Sequence, residues 1–438
     1  MIFTLEPLPA SEGDCLLLHW GEADALKLAV IDGGPGRTYE TSLRPRLEEL
    51  AESRGMPLDI ELVMVSHMDS DHIVGVGKLF DEVVSGIEKK IPKASRLANV
   101  RRLWLNVFND IVGDGDDAYY RRLTASYEAN VNGAPNQVLA DQIAAAFQER
   151  RNLSPDDAEF EGEAVTALLA GYKEGRDLRS DHEFLRKAHA IAAMNSPYES
   201  PSGKATLLTV ERASDPVSLE GLDNQIIAPA QAQIDKLQAE FDTFVEGKHF
   251  AIEAVLAAYA DVSAKNLSSI VCLVSMEITG EKRSILLTGD ARGDHILDGL
   301  ERVGLIEAGG RLKVDVLKVP HHGSDRNITA DFFRRVVADS YVFSGNGKHG
   351  NPDRATLKWL FDTRGKGEDY AVYLTYDLEQ IDKLRKEEHL KKAKNGPWVP
   401  AKHALEKLIS EYRNNGYQFK LHQGAPARID LGDEELPD

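Results

Sequence analysis

The chain has 438 residues, 42% of them hydrophobic, with 52 Lys and Arg against 71 Asp and Glu for a formal net charge of −19. That composition is that of a globular protein of one large or two ordinary domains, and its acidity excludes a surface that binds nucleic acid indiscriminately, because phosphate contacts need local positive charge. No apolar run approaches membrane-spanning length, the start carries Glu6, Glu12 and Asp14 in place of a basic and then apolar leader, and only Cys15 and Cys272 are present, which argues against a disulfide framework or a cysteine metal site; the expected location is cytoplasmic, away from membranes.

Ile2 to Leu5, Cys15 to Trp20 and Lys27 to Ile31 read as three short strands parted by turn residues, and the third runs into Asp32-Gly33-Gly34. Thr41 to Arg54 has helical periodicity and is stopped by Gly55 and Pro57. The apolar run Leu62 to Val65 then reads as a buried strand that delivers Ser66-His67-Met68-Asp69-Ser70-Asp71-His72. In this His-x-Asp-x-Asp-His spacing, His67 and Asp69 point to one side of the turn, and Asp71 and His72 toward a second point. Buried charges need partners, and imidazole nitrogen with carboxylate oxygen suits zinc or manganese. A helix follows from Ile73 to Glu88, and another strand from Val100 to Val107.

From about residue 116 to 200 the pattern is helical with little strand signal, and the segment reads as an insertion, a possible surface for a homodimer or a partner protein. Ala205 to Val210 and Asn224 to Ile227 return to strand character, and helices are expected over Pro229 to Val245 and His249 to Val262. The second half presents three strand ends with polar chemistry: Leu286-Leu287-Thr288-Gly289-Asp290, Lys318-Val319-Pro320-His321-His322-Gly323-Ser324, and Phe343-Ser344-Gly345-Asn346 leading to His349. Between Lys383 and Lys420 there are ten Lys or Arg against four Asp or Glu, so a basic helical extension carrying Trp398, Tyr412 and Tyr417 closes an otherwise acidic chain. Basic residues interleaved with aromatics can follow a phosphate backbone and stack bases.

Asp32-Gly33-Gly34, Ser66-His67-x-Asp69-x-Asp71-His72, Leu287-Thr288-Gly289-Asp290 and Lys318-Val319-Pro320-His321-His322-Gly323-Ser324 together resemble the successive motifs of the metallo-β-lactamase superfamily, in particular the metallo-hydrolase domain of the DNA-uptake channel protein ComEC. The resemblance implies an α/β fold, the αββα sandwich of that superfamily, built from residues 1–115 and 201–380. The helical insertion at 116–200 and the extension at 381–438 fall outside it. It further implies two divalent metal ions, with His67 and Asp69 on one, Asp71 and His72 on the other, Asp290 bridging, and one of His321 and His322 completing the second position. Asp32 would orient the ligand loop. Asp69 stands where the superfamily more often has histidine, which shifts the expected metal from zinc toward manganese. The superfamily's usual histidine ahead of Asp290 has no clear counterpart.

Two adjacent cations sharing a hydroxide point to hydrolysis of a phosphodiester. The expected function is a nuclease, with DNA or RNA as substrate. Asp71, the non-ligating member of His321 and His322, and His349 are the candidate catalytic groups. Lys318, Ser324 and Asn346 near the strand ends, and Lys391, Lys392 and Lys394 in the extension, are the candidate substrate contacts. A phosphodiesterase for small or lipid-like esters, similar to phosphorylcholine esterases, is the alternative enzyme; a metal-binding scaffold or sensor without turnover is the alternative from another class.

Overall fold

A computed structural model describes residues 1–106, 174–198, 207–235, 268–391, 395–425 and 427–437, with seven positions between 141 and 158. Most of the expected insertion, the helix expected at 249–262, and Lys392 and Lys394 lie outside the described residues.

The fold is mixed α/β. In the first half, β1 (Ile2–Pro7), β2 (Leu16–Gly21) and β3 (Lys27–Ile31) form an antiparallel meander; α1 (Arg44–Arg54) then leads to the short β4 (Leu58–Ile60) and to β5 (Leu62–Met64), which lies parallel to β3. Helix α2 (Ser70–Glu88) follows, then β6 (Ala98–Val100), which pairs with β4, and β7 (Leu103–Trp104), which extends the main sheet beside β5. The single strand expected from Val100 to Val107 is thus divided. After Trp104 the chain leaves the ladder, because Asn106 turns its side-chain amide onto the backbone of Leu208 at 2.7 and 2.9 Å. Helix α3 covers 174–187 of the described residues, so the helical pattern expected to residue 200 stops earlier, and residues 207–210 form no strand.

The second half builds an eight-stranded sheet. Its antiparallel part is β8 (Val217–Leu219), β9 (Leu222–Ala228), β10 (Val271–Ile278) and β11 (Glu281–Leu287). Two hairpins there turn on Glu220-Gly221 and Thr279-Gly280, pairs with both φ positive, as a two-residue turn matched to strand twist requires. From β11 onward, β12 (Leu312–Lys318), β13 (Val336–Phe343) and β14 (Ala371–Leu374) run parallel, with α4 (Gly293–Arg302), α5 (Ala330–Arg335) and α6 (Arg354–Arg364) between them. The stretch after 380, read as a basic helical extension, is more than that. Helices α7 (Leu378–Lys391) and α8 (Leu405–Asn414) are followed by β15 (Lys420–Gln423), an edge strand of the eight-stranded sheet, and β16 (Ile429–Asp430), an edge strand beside β1.

Alternation along the strands explains the layering. Leu16, Leu18 and Trp20 share one apolar cluster with Ile226, Cys272, Val274, Ile285, Leu287 and Val316, so the two sheets pack on each other. The intervening Leu17, with Val30 and Val63, instead packs against Leu47 and Leu50 of α1 and Val76, Leu79 and Phe80 of α2. On the far side Leu286, Leu317 and Tyr341 meet Ile296, Phe332, Phe333, Leu360 and Leu408. Among the described residues, no helix is long and apolar enough to cross a membrane.

Candidate metal centre

The parallel strands of both sheets end at the same place, where loops at strand carboxyl ends offer side chains to a shared crevice. The Ile270 N–H donates to the Ser66 carbonyl at 2.8 Å, joining the two halves there. Asp32, just past β3, has φ 57° and accepts from the Ser66 N–H and hydroxyl, both at 2.7 Å. This shapes the exit of β5 so that His67 and His72 face inward with ring centroids 4.2 Å apart. Close approach is needed behind them: a Cβ on Gly33 would lie 2.3 Å from the Val76 nitrogen, and one on Gly75 would lie 1.9 Å from the Gly33 oxygen. Glycine at both positions lets α2 begin directly against the Asp32 loop.

Asp290, 3% exposed at the end of β11, divides its two oxygens. Its Oδ1 lies 3.3 Å from His72 Nε2 and 3.5 Å from His322 Nε2. Its Oδ2 lies 3.5 Å from His321 Nε2 and 3.9 Å from His67 Nε2, and His67 Nε2 is 3.7 Å from Asp69 Oδ2. Asp71 Oδ2 is 3.5 Å from His322 Nε2 and 3.9 Å from His72 Nε2. Asp71, His72, Asp290 and His322 therefore form a compact quartet whose ligand atoms all lie within 4.8 Å of one another. His67, Asp69 and His321 gather on the other oxygen of the same carboxylate. The sequence left His321 and His322 interchangeable; the backbone separates them, because both have positive φ (49° and 52°) and successive side chains turn to different oxygens of Asp290.

The donor set fits a divalent cation. His67 Nε2, His72 Nε2, His322 Nε2 and Asp290 Oδ1 are buried and make no hydrogen bond, an arrangement that is costly unless another group satisfies them. The contacts of 3.3 to 3.9 Å within the quartet bracket the edge of a tetrahedron with ligands at zinc distances, about 3.3 Å. Electrostatics agree. Burial alone would raise Asp290, but His322, His321 and His72 hold it well below the usual carboxylate range. Burial would lower His72 and His322, yet both imidazoles are held well above 6.5, His72 by Asp290, Asp32 and Asp71, and His322 by Asp290 and Asp14. At His321 burial wins and the imidazole is pushed down.

Asp14 is the residue that sequence reading missed. In sequence it is one of the turn residues between the first two strands, Glu12-Gly13-Asp14, but it is 1% exposed, with Oδ1 3.2 Å from His322 Nδ1 and Oδ2 bonded to the Lys318 ammonium. Asp14 stands behind His322 as Asp32 stands behind His72, with a difference in kind: Asp32 is hydrogen-bonded to His72 Nδ1 at 2.9 Å and so fixes that ring, whereas Asp14 Oδ1 meets His322 Nδ1 at 3.2 Å as an ion-pair contact without hydrogen-bond alignment. Gly13 makes this possible, since a Cβ there would sit 1.8 Å from the Asp71 oxygen. The available signal was a carboxylate placed immediately before the apolar run Cys15 to Leu18.

Other expected contacts fall elsewhere. Lys318, read as a substrate contact, is 1% exposed, with its ammonium bonded to Asp14 and donating to the Gly289 carbonyl at 3.3 Å. Ser324 closes the His321 turn by an N–H bond of 2.8 Å to the His321 carbonyl, and the Asn346 side chain accepts from the Lys348 N–H at 3.0 Å. His349 is exposed at φ 56°; desolvation and the Lys348 ammonium push its imidazole down against the pull of Glu12 and Asp71. Lys391 is exposed on α7 and paired with Glu388 at 2.7 Å. Tyr412 is buried against Phe361 and bonded to Asp362, so it offers no stacking face, while Trp398 packs on His389 and His403. His182 is buried with Nε2 3.0 Å from the Ala192 carbonyl, a packing role.

No family model matches the chain. A stretch of 76 residues, 16% of the chain, is 41% identical to microtubule-associated protein 1A of Homo sapiens and, at the same identity and coverage, to that of Rattus norvegicus. The matched part amounts to 3% of the length of those proteins.

Proposed function

We propose that this protein is a metallo-hydrolase of the metallo-β-lactamase type, an αββα sandwich that holds two divalent ions, zinc or manganese, and cleaves phosphodiester bonds, with nucleic acid as the substrate. The observation that carries the reading is the division of Asp290 between two groups of nitrogen and oxygen donors. Bound ions would supply Lewis acidity and a water of lowered pKa. The protein's own residues do the rest. Asp32 fixes the His72 ring, Asp14 gives His322 an ionic partner, and Asp290 joins the two groups. Asp71, a quarter exposed, lies at the edge where substrate enters. His349 stands on a loop outside the donor set and in this reading would give a proton to the leaving oxygen.

A narrower pocket for a small phosphoester is favoured by one observation: α3 is seated on the ligand loop, with the Gly175 backbone so close that a Cβ would lie 2.7 Å from Met68 Sδ. The deciding experiment supplies single-stranded and double-stranded DNA, RNA and a bis-aryl phosphodiester to protein loaded with manganese or zinc, beside an Asp71→Ala, His72→Ala double variant. Nucleic-acid cleavage that the double variant loses supports the nuclease. Turnover of the aryl ester alone supports the small-ester reading, and no turnover of any phosphodiester by loaded protein refutes both.

A further inference from the structure

Arg385 lies on α7, in the part of the chain that the hydrolase motifs do not cover, yet it is 8% exposed and turned toward the crevice loops. Its Nη1 donates to the carbonyls of Gly350 and Pro352, and its Nη2 to that of His403 at 3.3 Å. Nη1 thus meets both loop carbonyls with its two N–H groups, while Nη2 ties the same planar group to the segment before α8, so the guanidinium fork links loop and C-terminal helices in one fixed orientation. The loop in question carries His349. It is seated directly on α7, since a Cβ on Gly347 would lie 2.2 Å from the Ile381 oxygen.

The opposite side of the loop is also held. Lys348 pairs with Glu12 at 2.5 Å, and the Ser344 hydroxyl donates to the Gly13 carbonyl at 2.5 Å, next to Asp14. Beyond Pro352, the Asp353 N–H donates to the Gly323 carbonyl at 3.0 Å, in the turn of His321 and His322. The left-handed backbone of His349, φ 56°, is disfavoured for a residue with a Cβ, so its conformation depends on these surroundings. Asp382, one turn before Arg385, accepts the N–H groups of Leu405 and Glu406 at 2.8 and 3.0 Å and so docks α8 on the same helix.

We propose that Arg385 is a positioning residue for His349: by clamping the carbonyls of Gly350 and Pro352 it fixes the loop that carries that imidazole, and so brings the C-terminal helices into the machinery of the reaction. The inference rests on the hydrolase reading above for its kinetic consequence, and on the loop geometry alone for its structural one. The test compares Arg385→Met, His349→Ala and the double variant, with Arg385→Lys as the milder change that keeps the charge and loses the fork. Expected are faster hydrogen exchange at amides 346–351 in both Arg385 variants, unchanged metal content, and a kcat lowered about tenfold or more in Arg385→Met with KM little altered. The double variant should be no slower than His349→Ala, because one substitution has already removed what the other holds. Losses that add in full, exchange at the wild-type rate, or metal lost along with activity would each overturn the assignment. If wild-type protein turns over no phosphodiester, the hydrolase reading fails, and the exchange rates still decide whether Arg385 holds the loop.

Discussion

Asp14→Asn keeps the shape of a buried side chain and removes its charge, and the structure makes two separable consequences of that change. Lys318 and Asp14 are each 1% exposed and bonded to each other. Leaving the ammonium buried without its counter-charge should cost about 3–5 kcal/mol of folding stability. His322, 3.2 Å away, also loses the carboxylate that pairs with its Nδ1 side, and loss of such a partner behind a ligand typically weakens metal binding about 10–100-fold. Adding Lys318→Met removes the stranded charge. The double variant should recover most of the stability while the weak metal binding persists. Urea denaturation of metal-free protein reads the first effect, and zinc competition against a chromophoric chelator reads the second. An Asp14→Asn protein within about 1 kcal/mol of wild type, or a double variant that regains zinc affinity, would refute the reasoning.

His321→Ala and His322→Ala should differ in kind, since they face opposite oxygens of Asp290: the first is expected to reduce bound metal from two equivalents to one, and the second to weaken the compact quartet, as read by metal analysis after dialysis. Gly13→Ala should displace the Asp71 backbone, because its Cβ would lie 1.8 Å from that carbonyl oxygen; metal affinity about tenfold lower or worse is the expected result, and wild-type affinity would count against the packing argument. The pH dependence of metal-free protein has a definite sign. His72 and His322 have folded values raised above 6.5, so their contribution to stability is complete below about that pH and is lost as the pH rises through the folded values. Melting temperature in chelator should therefore fall from pH 6.5 upward. Saturating zinc should oppose the fall, since ligands shed protons to bind metal; a chelated protein whose melting temperature climbs over that interval would contradict the charge assignments.

Much of this was legible in the sequence for a physical reason. A strand that ends in polar residues has nowhere to put them but the sheet edge, so Asp32, His67, Asp290 and His321-His322 could be expected at such ends from apolar runs alone. Which imidazole met which oxygen was not legible, because that choice depends on two consecutive left-handed residues that no local preference signals for histidine. Asp14 was hidden by its resemblance to an ordinary turn; its role arises from Lys318 and His322, some 300 residues away in the chain. Lys318 was misjudged for the same reason, since a lysine at a strand end reads as a substrate contact until the carboxylate beneath it is known. Of the basic residues between Lys383 and Lys420, Lys383, Lys386, Lys391, Lys402, Lys407, Arg413 and Lys420 are exposed, whereas Arg385 is buried and Tyr412, an expected stacking aromatic, is in the core.

The shared carboxylate at Asp290 also sets how the centre can fill and how it can fail. In the two-ion centre proposed above, with one oxygen given to each side, the two positions would not load independently: an ion drawn to the quartet of Asp71, His72, Asp290 and His322 would withdraw electron density from the oxygen left for His67 and His321. Titration should then give two unequal steps, the quartet first and a weaker one after it. Damage follows the same wiring. Loss of His67 or Asp69 should silence one position and spare its neighbour, whereas loss of Asp290 should empty both at once.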